Sequence, residues 1–503
     1  MSVQSRIGKA FALALLSVPL GSCGNPFDDP KHVDAEALGA DAGRDVRAFY
    51  EARNWQAAWN GAARKQLLEI IGGAPAHGLN SELFLKGELP KDRDEREAAL
   101  TRAALRYASA LARGYVDPKK LGRTYTIPQP NVDVAAGLSK ALDEGRLAEW
   151  FGTLAPQTDE YRALSEAFVR TARLADGGQG STVVASGKAI APGAADPRIP
   201  VIAKALAESG YLQAPEQAIS QRYSPELIAA VRRLQADNGL KADGIIGADT
   251  IAALNKGPAD RARQLAANLE RLRWLERDPP ATRIDVNTGG AYLDYWRNGQ
   301  HRDRRNVIVG QPDWETPQIG SPMFQLVAHP FWRVPDSIYE DELAEKGPAF
   351  FAEQGMEFRN GRLVQLPGPK NALGEVKFDM RNGQHIYLHD TPFKALFAQP
   401  ERHRSHGCVR VQDALGFALL LAHDDGILIP FQEALMESDE TFVKMKTEVP
   451  VRLMYRTAFV DDGQVRLVDD VYGWDDDVEY ARGYIRRPSR GPRKHERGVD
   501  VGP

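Results

Sequence analysis

Cys408, in the run Arg404-Ser405-His406-Gly407-Cys408-Val409-Arg410, is the residue of this chain best suited to covalent chemistry. The sequence holds 2 cysteines, and the other, Cys23, closes an N-terminal apolar run. A thiol attacks as thiolate, and an ordinary pKa of about 8.5 means that it needs an imidazole or another positive field at neutral pH. His389 and His406 supply the imidazoles. Gly407 removes a side chain where a substrate carbonyl must approach, and the N–H groups of His406, Gly407 and Cys408 could converge on a developing oxyanion. Such residues in this order point to acyl transfer through a thioester. Ser405 is read as a brace that hydrogen-bonds the loop. Arg410 offers a planar guanidinium that either takes a substrate carboxylate in two hydrogen bonds or braces the loop.

The same stretch carries a metal alternative, because His389, His403, His406 and Cys408 together offer three nitrogens and a sulfur that zinc accepts. Structural zinc sites usually show paired ligand clusters, which this spacing lacks, so no metal is expected. His385 and His403 are expected at the surface. A further alternative is a non-catalytic binding protein, although such a protein has no need of Cys408 and two histidines.

Arg6 and Lys9 followed by the apolar run 10–20 form a signal-peptide pattern over 1–22, too short to span a bilayer. Leu20-Gly21-Ser22-Cys23 resembles the lipobox of bacterial lipoproteins, which implies acylation of Cys23 and a lipid anchor in a membrane. Gly24 rather than Asp after it favours the outer membrane. Residues 23–43 read as a tether. With 503 residues, 43% of them hydrophobic, the body has room for several globular cores. A net charge of -4 provides no overall field for nucleic acid, and none is expected as a partner. The basic cluster lies in 482–503, read as a flexible tail.

The elements that must position Cys408 follow from periodicity and punctuation. Residues 44–175 read as helical, with Leu100, Leu105, Ala108 and Leu111 on one face. Residues 176–195 read as a linker. Three short helices follow in 196–256, one of them opened by Ser224 as N-cap and Pro225 at the first position. From 282 to 455 the texture is β, with Asn298-Gly299, Asn360-Gly361 and Asn382-Gly383 as hairpin signals. A strand over 385–389 leads into the loop that ends at Cys408, and a helix over 413–423 packs behind it. The fold class is multidomain α+β.

Residues 196–256, through Leu234-Gln235, Gly239 to Gly247, Thr250 and Leu254-Asn255, resemble the peptidoglycan-binding domain of cell-wall enzymes. His389 with Ser405-His406-Gly407-Cys408-Val409-Arg410 resembles the signature of the L,D-transpeptidase catalytic domain. The likeness extends through Val309-Gly310, Thr316-Pro317, the run Pro330 to Pro335, the run Leu366 to Gly374, Lys377-Phe378, His389-Asp390-Thr391-Pro392 and Arg402. It is similar to the large branch of that family, in which a helical scaffold, a peptidoglycan-binding domain and the catalytic domain occur in this order. Arg410 departs from the Asn common in smaller members.

The resemblance implies Cys408 as nucleophile, His389 as general base and His406 as a second active-site imidazole. Residues 336–366 correspond to the family's capping insertion over the substrate, and Trp332, Tyr387 and Asn371 are expected to line the pocket. It implies peptidoglycan stem peptides as substrate, no cofactor, a periplasmic location and partners among wall-synthesis proteins. The implied products are third-to-third residue crosslinks. Water as acceptor would make the protein a carboxypeptidase or hydrolase, and a protein lysine would make it a ligase, alternatives that the site residues leave open.

Overall fold

The computed structural model describes residues 32–34, 44–176, 182–213 and 220–484. The signal peptide, Cys23, most of the tether and the tail beyond Tyr484 lie outside the described residues. Among the described residues, no helix is long and apolar enough to cross a membrane.

The N-terminal third is helical, with helices Arg44–Ala52, Gly61–Gly72, Arg93–Arg113, Val134–Asp143, Leu147–Leu154 and Asp159–Asp176. Asp92 opens the longest by accepting from the Glu95 N–H, which satisfies a donor that the first turn leaves unpaired. That helix buries Leu100, Leu105, Ala108 and Leu111 in the common core, as the periodicity predicts.

Three short helices, Ile199–Glu208, Pro225–Asp237 and Ala248–Asn255, form the next unit. Ser224 Oγ accepts from the Leu227 N–H at 3.3 Å. Gln235 pins the following loop, accepting from the Gly244 N–H at 2.8 Å and donating to the Ile245 carbonyl at 2.9 Å. The linker reading of 176–195 is corrected for its described part. Val184 and Ile190 are buried in this helical core, Val184 exchanges two hydrogen bonds with the Asn255 amide, and Ile190 bridges Ile246. Three short helices leave apolar faces uncovered, and these branched side chains close them.

The C-terminal half is built on strands β1 (Arg283–Asn287), β2 (Tyr292–Arg297), β3 (Gln300–Gly310), β4 (Gly320–Ala328), β5 (Trp332–Arg333), β6 (Met356–Arg359), β7 (Arg362–Gln365), β8 (Val376–Met380), β9 (Leu388–His389), β10 (His403–Ser405), β11 (Val409–Val411) and β12 (Thr441–Met454). Nine of them form a sheet in the order β10-β3-β11-β9-β8-β4-β12-β1-β2, and β2 also pairs with β3, so the strands from β3 to β2 close into a ring with β10 attached to β3 outside it. Closure removes the open edges that such a sheet would otherwise present. The helix Ala414–Asp425 packs Phe417 and Leu421 into the sheet's core.

Asn298-Gly299 and Asn360-Gly361 take the left-handed conformations of two-residue turns, joining β2 to β3 and β6 to β7. Asn382-Gly383 does not. There β8 and β9 do pair, but the Asn382 side chain organises a wider loop, accepting from the N–H groups of Gln384 and Ile386. The strand expected over 385–389 shortens to Leu388–His389 for the same reason.

The helix Pro258–Arg273 ties the halves together and is buried along most of its length. Arg273 pairs with Glu270 and donates to Tyr161 Oη at 2.9 Å, while Arg271 pairs with Asp475. Buried guanidiniums persist only where such partners offset desolvation. Arg482 corrects the tail boundary, since it is buried, pairs with Glu479 and donates to the Gly78 carbonyl.

Candidate active site

Strand register places the chemistry. Lys377 on β8 stands opposite His389 on β9, His389 opposite Arg410 on β11, and Arg410 opposite Ile308 on β3. The alternate row, Phe378, Leu388 and Val409, points into the apolar core. Cys408 and Tyr387 each stand one residue before their strands, β11 and β9, and Cys408 is buried with the core of the main sheet. The Tyr387 and His389 rings stand 5.6 Å apart between centroids. The Lys377 ammonium sits over the Tyr387 ring at 4.6 Å.

His389 is fully buried. Its Nδ1 lies 2.5 Å from the Asp390 carbonyl, which can only accept, so Nδ1 carries the proton. Nε2 is then the basic nitrogen, and it is buried with no hydrogen-bond partner among the described residues. Burial, reinforced by the Arg410 charge, pushes its pKa down to about 3. The ring is neutral at working pH and poised to accept rather than to donate.

Cys408 is 6% exposed. Burial pushes its thiol up to about 11, against the opposing help of hydrogen bonds from Tyr387 and the charges of Lys377 and Arg410. Sγ lies 3.9 Å from the His385 carbonyl. The resting pair is therefore a neutral thiol and a neutral imidazole.

The loop before Cys408 is held from several sides. Gly407 has φ +112°, a conformation that side-chain-bearing residues rarely adopt. Its carbonyl accepts from Thr316 Oγ1 at 2.8 Å, and Thr316 Oγ1 accepts from the Gly310 N–H at 2.9 Å. A Cβ at Gly310 would meet the Trp314 carbonyl at 2.0 Å, so only glycine fits there. Ser405 braces the turn as expected, donating to the Cys408 carbonyl at 2.6 Å. Ser405 Oγ also accepts from the Gly407 N–H at 3.2 Å. That bond removes Gly407 N–H from the expected oxyanion donors. The Cys408 N–H has no backbone acceptor among the described residues.

His406 sits on the opposite side of the loop, with Nε2 2.7 Å from Glu342 Oε1 and its ring edge-on to Trp314 at 4.9 Å. Glu342 belongs to the 336–366 insertion, which carries the turn Tyr339–Leu343 and the helix Pro348–Glu353. Together with β5, β6 and β7 it forms a unit with its own core of Ile338, Leu343, Phe351, Met356 and Leu363. Tyr387 packs against both this core and that of the main sheet.

Several expectations are corrected. Trp332 is fully buried within the core of the insertion rather than lining a pocket. Asn371 is buried, and its amide is consumed by the backbone: Nδ2 donates to the Pro330 and Leu366 carbonyls, each at 2.9 Å, and Oδ1 accepts from the Leu373 N–H at 2.8 Å. Arg402 donates to the Gln399 and Ala291 carbonyls at 3.1 and 3.2 Å, bracing the loop. Arg410 is 1% exposed, which favours the brace over an open carboxylate receptor. His403 is buried rather than superficial, held between Glu401 at 2.6 Å and the Thr288 carbonyl at 2.9 Å. These contacts occupy both of its ring nitrogens. Among the described residues, no group of three or more His, Cys, Asp or Glu side chains gathers as a metal site.

Thr316, Trp314, Glu342 and Lys377 are the residues that sequence reasoning missed. Thr316 and Lys377 lie within stretches that carried the family likeness, and the Thr316-Pro317 pair was the available signal. Glu342 stands in an acidic run with nothing local to single it out.

One domain, built on a closed sheet, thus carries a buried cysteine, a histidine oriented by a backbone carbonyl and an insertion bonded to the cysteine loop. Residues 281–430 match the family model of the L,D-transpeptidase catalytic domain, 196–254 that of a peptidoglycan binding domain, and 44–168 that of a scaffold domain. The chain thus carries an L,D-transpeptidase catalytic domain together with a peptidoglycan-binding domain. A Haemophilus influenzae protein bearing the L,D-transpeptidase name is 27% identical over 299 residues, which cover 54% of this chain and 60% of that protein. An L,D-transpeptidase of Mycobacterium smegmatis is 11% identical, covering 35% of this chain and 58% of its own, with a TM-score of 0.22. One from Stackebrandtia nassauensis is 14% identical, covering 57% and 100%, with a TM-score of 0.20. Such low TM-scores leave the assignment resting on the sequence matches.

Proposed function

We propose that the protein is a peptidoglycan L,D-transpeptidase that works through a Cys408 thioester. What supports this reading is His389, which stands opposite Arg410 on the neighbouring strand: its Nδ1 is fixed by the Asp390 carbonyl, its buried Nε2 has no hydrogen-bond partner among the described residues, and the charges of Arg410 and Lys377 act on both His389 and Cys408. Nε2 takes the thiol proton, and the thiolate attacks the carbonyl of the L-to-D peptide bond after the third residue of a stem tetrapeptide. The Cys408 N–H donates to the oxyanion. Collapse breaks the C–N bond, and the His389 imidazolium gives its proton to the departing D-alanine amine. The side-chain amine of a neighbouring diaminopimelate then attacks the thioester, loses a proton to His389 and releases the thiol. One amide is broken and one made, so the scheme consumes no external energy source or cofactor.

Arg410 and Lys377 contribute positive charge that favours the thiolate as it forms. The insertion over the site excludes water and thereby favours an amine acceptor over hydrolysis. The domain boundaries at 44–175, 196–256 and 282–455, acylation of Cys23, a periplasmic location on the outer membrane and partnership with wall-synthesis proteins belong to the same proposal. Mass spectrometry of wall fragments made with wild type and with Cys408→Ala tests the reaction. Third-to-third linked dimers are expected with wild type alone. Equal dimers in both would refute the nucleophile, and trimmed monomers alone would reassign the acceptor to water.

A further inference from the structure

Away from Cys408, a cavity of ≈ 410 Å³ opens where the scaffold helix Asp159–Asp176, the peptidoglycan-binding unit, the helix Pro258–Arg273 and the strand Gln464–Leu467 meet. Its charge is unbalanced. Three guanidiniums, Arg170, Arg233 and Arg261, line it against one carboxylate, Asp237, and Asp237 is already engaged by Arg466 at 3.4 Å. Arg261 is only 5% exposed. Its Nη2 donates to the Ala253 carbonyl at 2.9 Å and its guanidinium stands 5.3 Å from the Tyr211 ring centroid, yet Nε has no acceptor among the described residues. Arg233 donates to the Tyr211 carbonyl at 2.7 Å and acts on Asp237 through charge. Arg261 is the buried one of the three, with Asp237 and Asp260 acting on it only through charge and neither in ion-pair contact, so the cavity keeps a net positive charge that an anion would offset.

The geometry points to this cavity as an oxyanion site that takes a stem-peptide carboxylate while the thiol works at a distance. Forked guanidiniums bind carboxylate in parallel hydrogen bonds, and the cavity borders the unit matched to peptidoglycan binding. The anion chemistry stands on the cavity itself, whereas the choice of a stem peptide rests on the proposed function. Inorganic phosphate shares that chemistry and serves as the competing source.

The test uses the full chain with Cys408→Ala, so that binding to purified peptidoglycan is read without turnover. Co-sedimentation is measured with native wall and with wall whose carboxylates have been amidated, with and without Arg170→Glu and Arg233→Glu. Both arginines are exposed, and an unchanged thermal midpoint verifies the fold. Binding is expected to fall about fivefold on amidation and about fivefold in the double variant, with no further loss when the two are combined. Equal sensitivity to amidation with and without the two arginines overturns the inference. Displacement by millimolar phosphate, together with indifference to amidation, overturns the stem assignment in favour of a phosphate ligand. Carboxylate-dependent binding in a protein whose Cys408 form makes no third-to-third links would sink the proposed reaction and leave this site standing.

Discussion

Glu342 Oε1 lies 2.7 Å from His406 Nε2, joining the insertion over the active site to the loop that carries Cys408. Trp314 meets the same ring edge-on at 4.9 Å. The imidazole expected as a second one in the active site thus also links the 336–366 insertion to the Cys408 loop. With this contact made, the thiol beneath is 6% exposed. Substrate entry therefore requires segments around the thiol to move, and the Glu342 contact ties the insertion to one of them.

Glu342→Gln keeps the side chain's shape but removes its charge, and Glu342→Ala removes the contact. A partly buried hydrogen bond to a charged group contributes about 1.5 kcal/mol, so Cys408 alkylation in Glu342→Ala should accelerate roughly tenfold. Glu342→Gln should fall between the two. Iodoacetamide kinetics at fixed pH measure this, and identical rates in all three proteins would show that the lid is held elsewhere. Looser closure should also raise the share of hydrolysed over crosslinked product.

The buried thiol makes stability depend on pH in a stated direction. Folding raises the Cys408 pKa to about 11, so the folded state keeps its thiol proton where the unfolded chain has lost it. That contribution is complete below the ordinary thiol range near pH 8.5 and is lost as pH rises toward 11. His389 runs the other way. Its folded pKa is depressed to about 3, so its contribution is complete above about pH 6.5 and is lost as pH falls. Urea midpoints should decline less for Cys408→Ala than for wild type between pH 8.5 and 11, measured alongside a buried-methionine control variant. They should also decline less for His389→Gln between pH 6.5 and 4. Parallel curves would contradict the burial of these groups.

His389→Gln should lower acylation by about 10²–10⁴-fold, the range for loss of a positioned base. His389→Asn, whose amide nitrogen stands where Nδ1 stood, can still donate to the Asp390 carbonyl, so its acylation should fall likewise while its thermal midpoint hardly moves. A thioester that forms at the wild-type rate, read by intact-protein mass spectrometry after mixing with tetrapeptide, would remove His389 from the mechanism.

Local chemistry made much of this fold legible. Asn298-Gly299 and Asn360-Gly361 adopt the turns that their backbone freedom allows, and Ser224 caps its helix. Cys408, His389 and Gly407 stood out as candidates because thiol, imidazole and a side-chain-free turn are chemically distinctive. Glu342 and Trp314 were not, since they reach His406 across long sequence separations and nothing in their neighbours marks them. Asn371 and Trp332 misled for a related reason. An amide that satisfies buried carbonyls and an indole that fills a core look the same in sequence as groups awaiting a substrate. Val184 and Ile190 were lost in a Gly- and Ser-rich stretch whose composition masks two core side chains.

Gly407→Ala separates backbone conformation from space. A Cβ there would meet Ile386 Cδ1 at 3.5 Å and the Trp314 carbonyl at 3.6 Å, ordinary contacts that need no rearrangement. The strain lies in φ +112°, which costs a side-chain-bearing residue about 1–3 kcal/mol. Relaxing it would turn the two peptides that flank Gly407, the first with its N–H donating to Ser405 and the second with its carbonyl accepting from Thr316. The Cys408 N–H, next along the chain, would then lose its aim at the oxyanion. Acylation should fall by at least about tenfold, more than the thermal midpoint alone would suggest, because a single misplaced oxyanion donor costs about 10²–10³ in rate. Thr316→Val, which removes the hydroxyl that holds the Gly407 carbonyl, should reproduce the defect in milder form. If Gly407→Ala acylates at the wild-type rate, the left-handed turn has no part in placing the oxyanion donor, and Gly407 serves folding alone.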